Sequence, residues 1–281
     1  MIGISTYIDY NADQMIEFGW LYTSWLHSGA WKNSKIVAFY NPKIPQKWIE
    51  SFDIEAIPLT PLSETEPTWN DYKFINSIYY LCIPEASELT KYEYVLRTDN
   101  DVFLTPNFIN LKPRLATFGI GLYALEPIVA AKLVQIAAQW GIIPVFNNIG
   151  SSVIAKSDQI LQYSQIQFEY CKKLANEEFL DGYGEWPKWF FGVLSMYAGQ
   201  LTANAYFGTS MVLGGLDVHC MSHEEMSNTD YHIHAWHTFD HFSKFKWRNG
   251  EYRDVDPKSL NKNKICDYCL WIALEAEKSY S

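Results

Sequence analysis

Several features that would assign a chain quickly are missing from this one. No run approaches the roughly 18–20 uncharged apolar residues that a membrane-spanning helix needs. The N-terminal Met1-Ile-Gly-Ile-Ser-Thr-Tyr-Ile8 lacks the basic region and cleavage site of a secretory leader and reads as a first strand, so the expectation is a soluble, cytoplasmic protein. Cysteine is scarce: Cys82, Cys171, Cys220, Cys266 and Cys269 are odd in number and irregularly spaced, which argues against a disulfide framework. Cys266-x-x-Cys269 has the spacing of half a zinc site, with His219, Cys220 or His223 as further ligands. No second C-x-x-C exists, however, and the pair falls in the helix-like Lys264–Leu274, where residues three apart simply share a face. Basic residues are outnumbered, 22 against 32 acidic, for a formal net charge of −10. That balance argues against a nucleic-acid partner, and an anionic substrate would need its countercharge supplied locally, by a metal ion and a few placed Lys or Arg. There is no internal repeat, low-complexity tract or evident linker.

What is present is apolar and patterned. Hydrophobic residues make up 48% of the 281, enough for a sizeable core. Aromatic residues make up 16%, and such rings pack in cores and also against sugars and bases. Strand patterns at Gly3–Ile8, Lys35–Tyr40, Ile54–Leu59 and Tyr94–Thr98 alternate with helical ones. The first helix opens on Asn11-Ala-Asp-Gln14, resembling a capping box, with Met15, Phe18, Tyr22 and Trp25 at helical spacing; a short helix follows at 45–52, and another at Trp69–Leu81. This βαβαβαβ order predicts an α/β fold, a single domain over residues 1–281 with a mostly parallel, doubly wound sheet flanked by helices. Further strands are expected at Phe118–Leu125, Gly150–Ala155 and Tyr206–Leu213. Further helices are expected at Ile128–Trp140, Ser157–Leu174, Trp189–Gln200 and about Pro257–Tyr280.

The strongest functional signal is Tyr94-Val-Leu-Arg-Thr-Asp-Asn-Asp-Val-Phe-Leu104. A buried strand runs into Asp99-Asn100-Asp101, which puts two carboxylates at the carboxyl end of a strand, where ligands of open α/β sheets bind. Mg²⁺ and Mn²⁺ take oxygen ligands and are commonly shared between one or two carboxylates and substrate phosphates. An acidic turn after a strand is the plainer reading.

This segment resembles the D-x-D motif of the GT-A-fold glycosyltransferases. The resemblance covers the first half well and the second half more loosely, and it implies a nucleotide-sugar-binding half (1–105) and an acceptor-binding half with a C-terminal helix (106–281). It further implies Mn²⁺ or Mg²⁺ held by Asp99 and Asp101 and by a late histidine. Six of the seven histidines lie between His219 and His241; in Tyr231-His-Ile-His-Ala-Trp-His-Thr-Phe-Asp-His241, His234 is the expected ligand and His237 the second choice. Lys244 and Lys246, which follow as in the closing loop of many members, are expected to meet the phosphates. Lys73 and Arg97 are further candidates for the diphosphate, although a solvated helix residue and a structural ion pair are their plainer readings. Thr6, Tyr7 and Ile8 end the first strand, where the base usually sits. Phe146-Asn-Asn-Ile-Gly-Ser-Ser-Val153 resembles the family's Asn-x-Gly stretch, with Asn148 toward the sugar and Gly150 allowing close approach. In Leu180-Asp-Gly-Tyr-Gly-Glu-Trp-Pro-Lys-Trp189, Asp181 or Glu185 would be the general base of an inverting member, with Glu126 a more distant candidate and Trp186 and Trp189 an acceptor platform. A retaining reaction needs no such base.

The reaction implied is transfer of a sugar from a nucleoside diphosphate sugar, a UDP-sugar ahead of a GDP-sugar, to a hydroxyl of a glycan or glycoconjugate. The alternatives are a non-catalytic carbohydrate-binding protein, a metal phosphohydrolase, and a nucleotidyltransferase making the nucleotide sugar. The last typically has a glycine- and basic-rich loop after the first strand, and Tyr7-Ile-Asp-Tyr-Asn-Ala-Asp13 has neither.

Overall fold

A computed structural model of the chain describes residues 1–180, 182–236 and 241–280. Ten strands are formed there: β1 (Ile2–Ile8), β2 (Ser34–Tyr40), β3 (Glu55–Pro58), β4 (Tyr94–Arg97), β5 (Val102–Leu104), β6 (Ala116–Ile120), β7 (Ile149–Lys156), β8 (Met211–Leu213), β9 (Val218–His219) and β10 (His232–His234). The α-helices are α1 (Ala12–His27), α2 (Gln46–Ile49), α3 (Leu62–Thr65), α4 (Asn76–Tyr79), α5 (Pro127–Gln139), α6 (Ser157–Glu178), α7 (Leu194–Tyr206), α8 (Lys244–Arg248) and α9 (Ile265–Tyr280).

Seven strands make the central sheet in the order β3-β2-β1-β4-β7-β6-β8. Only β7 runs against the rest, antiparallel to both β4 and β6. The expected mostly parallel α/β sheet is therefore present. All seven residues of β1 are buried, as a central strand covered on both faces must be. Ile2, Ile4 and Ile8 pack with Phe18, Leu21 and Trp25 of α1, while Tyr7 and Val95 on the other face join Tyr163 of α6 and Ala203 of α7. The chain winds outward from β1 to β3 and returns to β4 on the other side of β1, which makes the β1/β4 border the switch point where ligands of such sheets bind.

Asn11 caps α1 as its position suggests, its side-chain oxygen accepting from the backbone N–H groups of Asp13 and Gln14. Gln14 departs from the capping box: its Oε1 accepts from the backbone N–H of Asp9, at 2.9 Å.

Several expected elements differ: the strand expected at Phe118–Leu125 is β6, which ends at Ile120, and the helix expected at Trp189–Gln200 is a 3₁₀ turn at Phe191–Val193 followed by α7, which runs on to Tyr206. The helix expected at Trp69–Leu81 is two 3₁₀ turns, Pro67–Trp69 and Lys73–Ile75, followed by one turn of α4. Asn76 fastens it to Ser63 through paired hydrogen bonds of 2.9 and 3.2 Å. The strand expected at Tyr206–Leu213 is the end of α7, a turn with Gly208 in the left-handed region, and the short β8. The C-terminal helix starts at Ile265 rather than near Pro257, which opens a separate 3₁₀ turn.

A second sheet, β5-β10-β9, stands on the carboxyl side of the first. β10 pairs antiparallel with β5, setting His234 opposite Val102, and the backbone N–H of Ala235 continues the pairing onto Asp101 O at 2.8 Å. Ile233 points the other way, into a cluster with Trp20, Phe103 and the apolar face of α9. No helix among the described residues is long and apolar enough to cross a membrane.

Candidate metal centre

The Asp99-Asn100-Asp101 turn leaves β4 at the switch point and is fastened to β1. Thr98 N–H still pairs with Ser5 O at 3.0 Å. The Asn100 side chain accepts from Thr6 Oγ1 at 2.7 Å and donates to Tyr7 O at 2.7 Å. Asn100 is buried, so the middle residue of the motif locks the turn while its two aspartates face outward from that lock.

Register then delivers the third group. His234 Nε2 lies 3.2 Å from Asp101 Oδ1 and 3.9 Å from Asp99 Oδ2. One donor atom from each of Asp99, Asp101 and His234 falls within 4.8 Å of the others. Two carboxylates and an imidazole converging in this way can hold a divalent metal ion. Asp99 keeps 33% of its side chain exposed against 9% for Asp101, so the open side of the cluster is the Asp99 side.

Behind His234 sits Asp217, a residue the sequence did not single out. Its Oδ1 lies 3.2 Å from His234 Nδ1, and it accepts from Ser152 N–H at 2.9 Å and Ser152 Oγ at 2.6 Å. The backbone N–H of Asp217 donates to His232 Nδ1 at 3.1 Å. That bond puts the His232 proton on Nε2, which donates to Thr98 Oγ1 at 2.7 Å. Burial pushes the His232 imidazole down to about 4, so it is neutral at pH 7. The two histidines of β10 thus share a face but differ in state: His232 is a neutral strut, and His234 is oriented by a carboxylate with Nε2 toward Asp99 and Asp101. An imidazole anchored through its far nitrogen is the usual arrangement around bound metals.

Glycines make room for this anchor. A Cβ on Gly119 would stand 1.9 Å from Asp217 Oδ2, and one on Gly150 2.2 Å from the same atom. The group that approaches Gly150 closely is thus the Asp217 carboxylate, a contact other than the one expected with a sugar.

The charges compensate one another. Burial opposes ionisation of Asp101, but Lys244 and His234 outweigh it and hold the carboxyl far below its usual range. Burial likewise opposes a charged His234, and Asp101 and Asp217 overcome it, holding the imidazole well above its ordinary value. Asp99 goes the other way, raised by burial and by Asp101 against the pull of His234 and Arg97. Lys244, buried at the start of α8, donates to Asp101 Oδ2 at 2.5 Å. Glu17 of α1 lies close by and is pushed up to about 7 by burial and by Asp101, against Lys244 and Arg248. Arg248 closes the network onto Glu17 at 2.8 Å and Asp13 at 3.2 Å.

Several expected contacts take other forms. Lys244 holds Asp101, which leaves its ammonium engaged, whereas Lys246 is half-buried and its ammonium makes no hydrogen bond or ion pair among the described residues. Thr6 and Ile8 have no exposed surface and so offer none to a base. Tyr7 is also buried, and its carbonyl accepts from Asn100. Arg97 is buried and donates to Gln167 of α6 at 2.6 Å, so the expected ion pair is a hydrogen bond to an amide. Lys73 is exposed. Asn148 adopts a φ of 50° and serves the turn before β7, its Oδ1 accepting from Ala124 N–H at 2.9 Å. Glu126 is an exposed residue preceding α5. Glu185 and Trp186 are exposed on the loop before α7, while Trp189 stacks on Tyr197 at 4.1 Å and joins the core beneath, so it is not a free platform. Asp181 and His237 lie outside the described residues.

Two solved structures have related chain paths. Core-mannan synthase A from Aspergillus fumigatus, in its Mn/GDP form, aligns with a TM-score of 0.39 and 10% identity over 76% of this chain and 72% of that one. Glucosyl-3-phosphoglycerate synthase from M. tuberculosis aligns with a TM-score of 0.36 and 10% identity over 76% and 70%. Likeness at that level says nothing about side chains, and the functional reading rests on the site's own geometry. No curated protein matches the chain. Residues 42–279 match the family described as "Domain of unknown function (DUF7164)", and the chain belongs to that family.

Proposed function

We propose that the protein is a metal-dependent glycosyltransferase that moves a sugar from a nucleoside diphosphate sugar to an acceptor hydroxyl. The observation that carries this reading is the convergence of Asp99, Asp101 and the Asp217-anchored His234 at the β1/β4 switch point. In a chain of net charge −10, a diphosphate has little other source of countercharge. The two-oxygen, one-nitrogen donor set suits Mn²⁺ or Mg²⁺. When bound, such an ion supplies Lewis-acid neutralisation of the departing diphosphate.

The protein's own groups divide the remaining work. Asp99, on the open side, faces the donor. Asp101 is held in place and in charge by Lys244. Lys246 is the cation left for a phosphate oxygen. Asn148 is the candidate for a sugar hydroxyl, and the exposed Lys73 is a further candidate for the diphosphate. Asp181 or Glu185 would take the acceptor proton if the anomeric centre inverts. A uridine donor is the first to test and a guanosine donor the second, with a glycan or glycoconjugate as acceptor.

Thermal unfolding with a panel of nucleoside diphosphates, with and without Mn²⁺, tests the reading. A ligand at about 100 times its Kd adds about 2.7 kcal/mol, a readily measured rise in Tm. The expected result is a rise with one nucleotide, dependent on Mn²⁺ and lost in Asp99→Asn/Asp101→Asn. No rise with any nucleotide would sink the metal–diphosphate reading and turn attention to glycan binding.

A further inference from the structure

Away from the carboxylates at the switch point, three segments bring a second set of donors together. His241 Nε2 lies 3.0 Å from Asp267 Oδ1. Cys266 Sγ lies 3.8 Å from the same oxygen and 3.6 Å from His223 Nδ1. One donor atom each from His241, Cys266 and Asp267 falls within 4.8 Å of the others, and the rings of His223 and His241 are 5.3 Å apart. Zinc bonds of about 2.3 Å to sulfur and about 2.0–2.1 Å to nitrogen or oxygen imply edges of about 3.3–3.6 Å in a tetrahedral site. The three observed edges, 3.0, 3.6 and 3.8 Å, bracket that range without an ion to draw them in, while His223 is joined to the cluster through Cys266 and stands outside the 4.8 Å group of the other three.

The backbone around these groups is fixed independently of them. The 222–226 segment lies against 263–266, with Cys266 N–H donating to Ser222 O at 3.1 Å, Ile265 N–H to Glu224 O at 3.1 Å and Met226 N–H to Asn263 O at 2.7 Å. Asp267 Oδ2 accepts from Asn261 N–H at 3.0 Å, which leaves Oδ1 for the cluster. His241 O accepts from Tyr252 Oη at 2.5 Å. The donors are thus carried on built positions and not on free chain.

We propose that His223, His241, Cys266 and Asp267 form a second metal site, of Zn²⁺ chemistry, that ties α9 and the 222–226 segment to the chain entering α8. One sulfur, two imidazoles and one carboxylate make a softer set than the two-oxygen, one-nitrogen centre, and thiolate with imidazole selects zinc where carboxylate-rich sites suit magnesium and manganese. Four protein ligands leave no open position, as in structural zinc sites. On binding, the Cys266 S–H bond breaks, its proton passes to solvent, and sulfur gives its electron pair to the ion. The place in the fold gives the site its effect. His234 of the first centre and Lys244, which grips Asp101, lie on either side of His241 in sequence, so an ion there fixes a point of the chain between two groups of the first centre. Sequence reading saw the zinc spacing in Cys266-x-x-Cys269, but Cys269 is buried among apolar residues, and the partner of Cys266 is its neighbour Asp267.

The test uses the metal-stripped full chain and Co²⁺ as a spectroscopic stand-in for Zn²⁺. The expected result is a strong near-ultraviolet thiolate-to-cobalt absorption that saturates at one ion, disappears in Cys266→Ser and persists in Asp99→Asn/Asp101→Asn. His223→Ala, a change at an exposed side chain, should weaken Co²⁺ binding at least about tenfold and stands in for Cys266→Ser if that variant does not fold. No thiolate absorption in the native chain overturns the proposal, as does absorption that survives Cys266→Ser or an unchanged affinity in His223→Ala. The outcome is independent of nucleotide binding, so the two readings fail separately.

Discussion

At the level of single residues, the state of the first centre depends on a carboxylate that touches none of the open face. Asp217 is buried and receives His234 Nδ1, Ser152 N–H and Ser152 Oγ. Burial raises its carboxyl, but hydrogen bonds and charge from His234 more than offset that, and it stays below its usual range. Asp217→Asn keeps an acceptor near Nδ1 but removes the charge and confronts Ser152 with an amide that has only one oxygen. The expected effect is a 10–100-fold loss of metal affinity, in the range seen when such outer partners are changed, with Asp99 and Asp101 intact. Mn²⁺ titration of native and variant chains, followed by the nucleotide-dependent rise in Tm, measures it; equal affinities would mean that Asp217 serves the fold alone. Asp99 and Asp101 could be read from the sequence because an apolar strand ends on them. Asp217 could not: it is 118 positions from Asp99 (217 − 99), sits at a φ of 53° after two glycines, and finds its partners only once β7 and β10 are assembled.

The elements carry the same geometry through spacing and register. β10 is three residues long, yet its antiparallel register with β5 alone decides that His234, opposite Val102, meets Asp101 and that His232 goes to Thr98. Alternation in a strand puts both histidines on one face, but the sequence does not record the register that brings the later one to the motif; His234 is expected there only from the resemblance. The misread helix at Trp69–Leu81 has a physical cause as well. Trp69, Tyr72, Ile75 and Ile78 are all buried and recur every third residue, a period that fits 3₁₀ turns as well as an α-helix. β6 and β7 supply the floor under Asp217 through Gly119 and Gly150. Gly119→Ala would drive a Cβ to 1.9 Å from Asp217 Oδ2, and a backbone held in the sheet leaves the carboxylate as the part that must move. The variant should therefore lose Mn²⁺ affinity to the extent that Asp217→Asn does, while far-ultraviolet circular dichroism stays native. Undisturbed Mn²⁺ binding in Gly119→Ala would show that the carboxylate can shift without cost to His234.

Over the whole molecule, the first centre draws on residues from 99 to 244 and lies beside a small sheet that takes β5 from one of the expected halves and β9 and β10 from the other. The switch point was legible in the alternation of strand and helix, whereas the reversal of β7 was not, because nothing local in a buried apolar strand records its direction. The assembly also sets how the centre responds to pH. Without an ion, Asp101 and Asp217 hold the His234 proton more tightly than the unfolded chain does. That protonation stabilises the fold fully below about pH 6.5, the ordinary imidazole value, and the gain is lost as pH rises through the higher folded value. A metal ion must displace the same proton. Mn²⁺ affinity should accordingly rise with pH, by up to about tenfold per unit while His234 remains protonated, with one proton released per ion. Glu17, pushed up to about 7 beside Asp101, titrates in the same interval and is the rival source of such a slope. Calorimetric Mn²⁺ titrations in two buffers of different ionisation enthalpy, between about pH 6 and about pH 8 on either side of that value, separate them. If His234 is the group, proton release persists in Glu17→Gln and vanishes in His234→Gln; release that follows Glu17 instead would mean that the ion is held by the carboxylates without the imidazole.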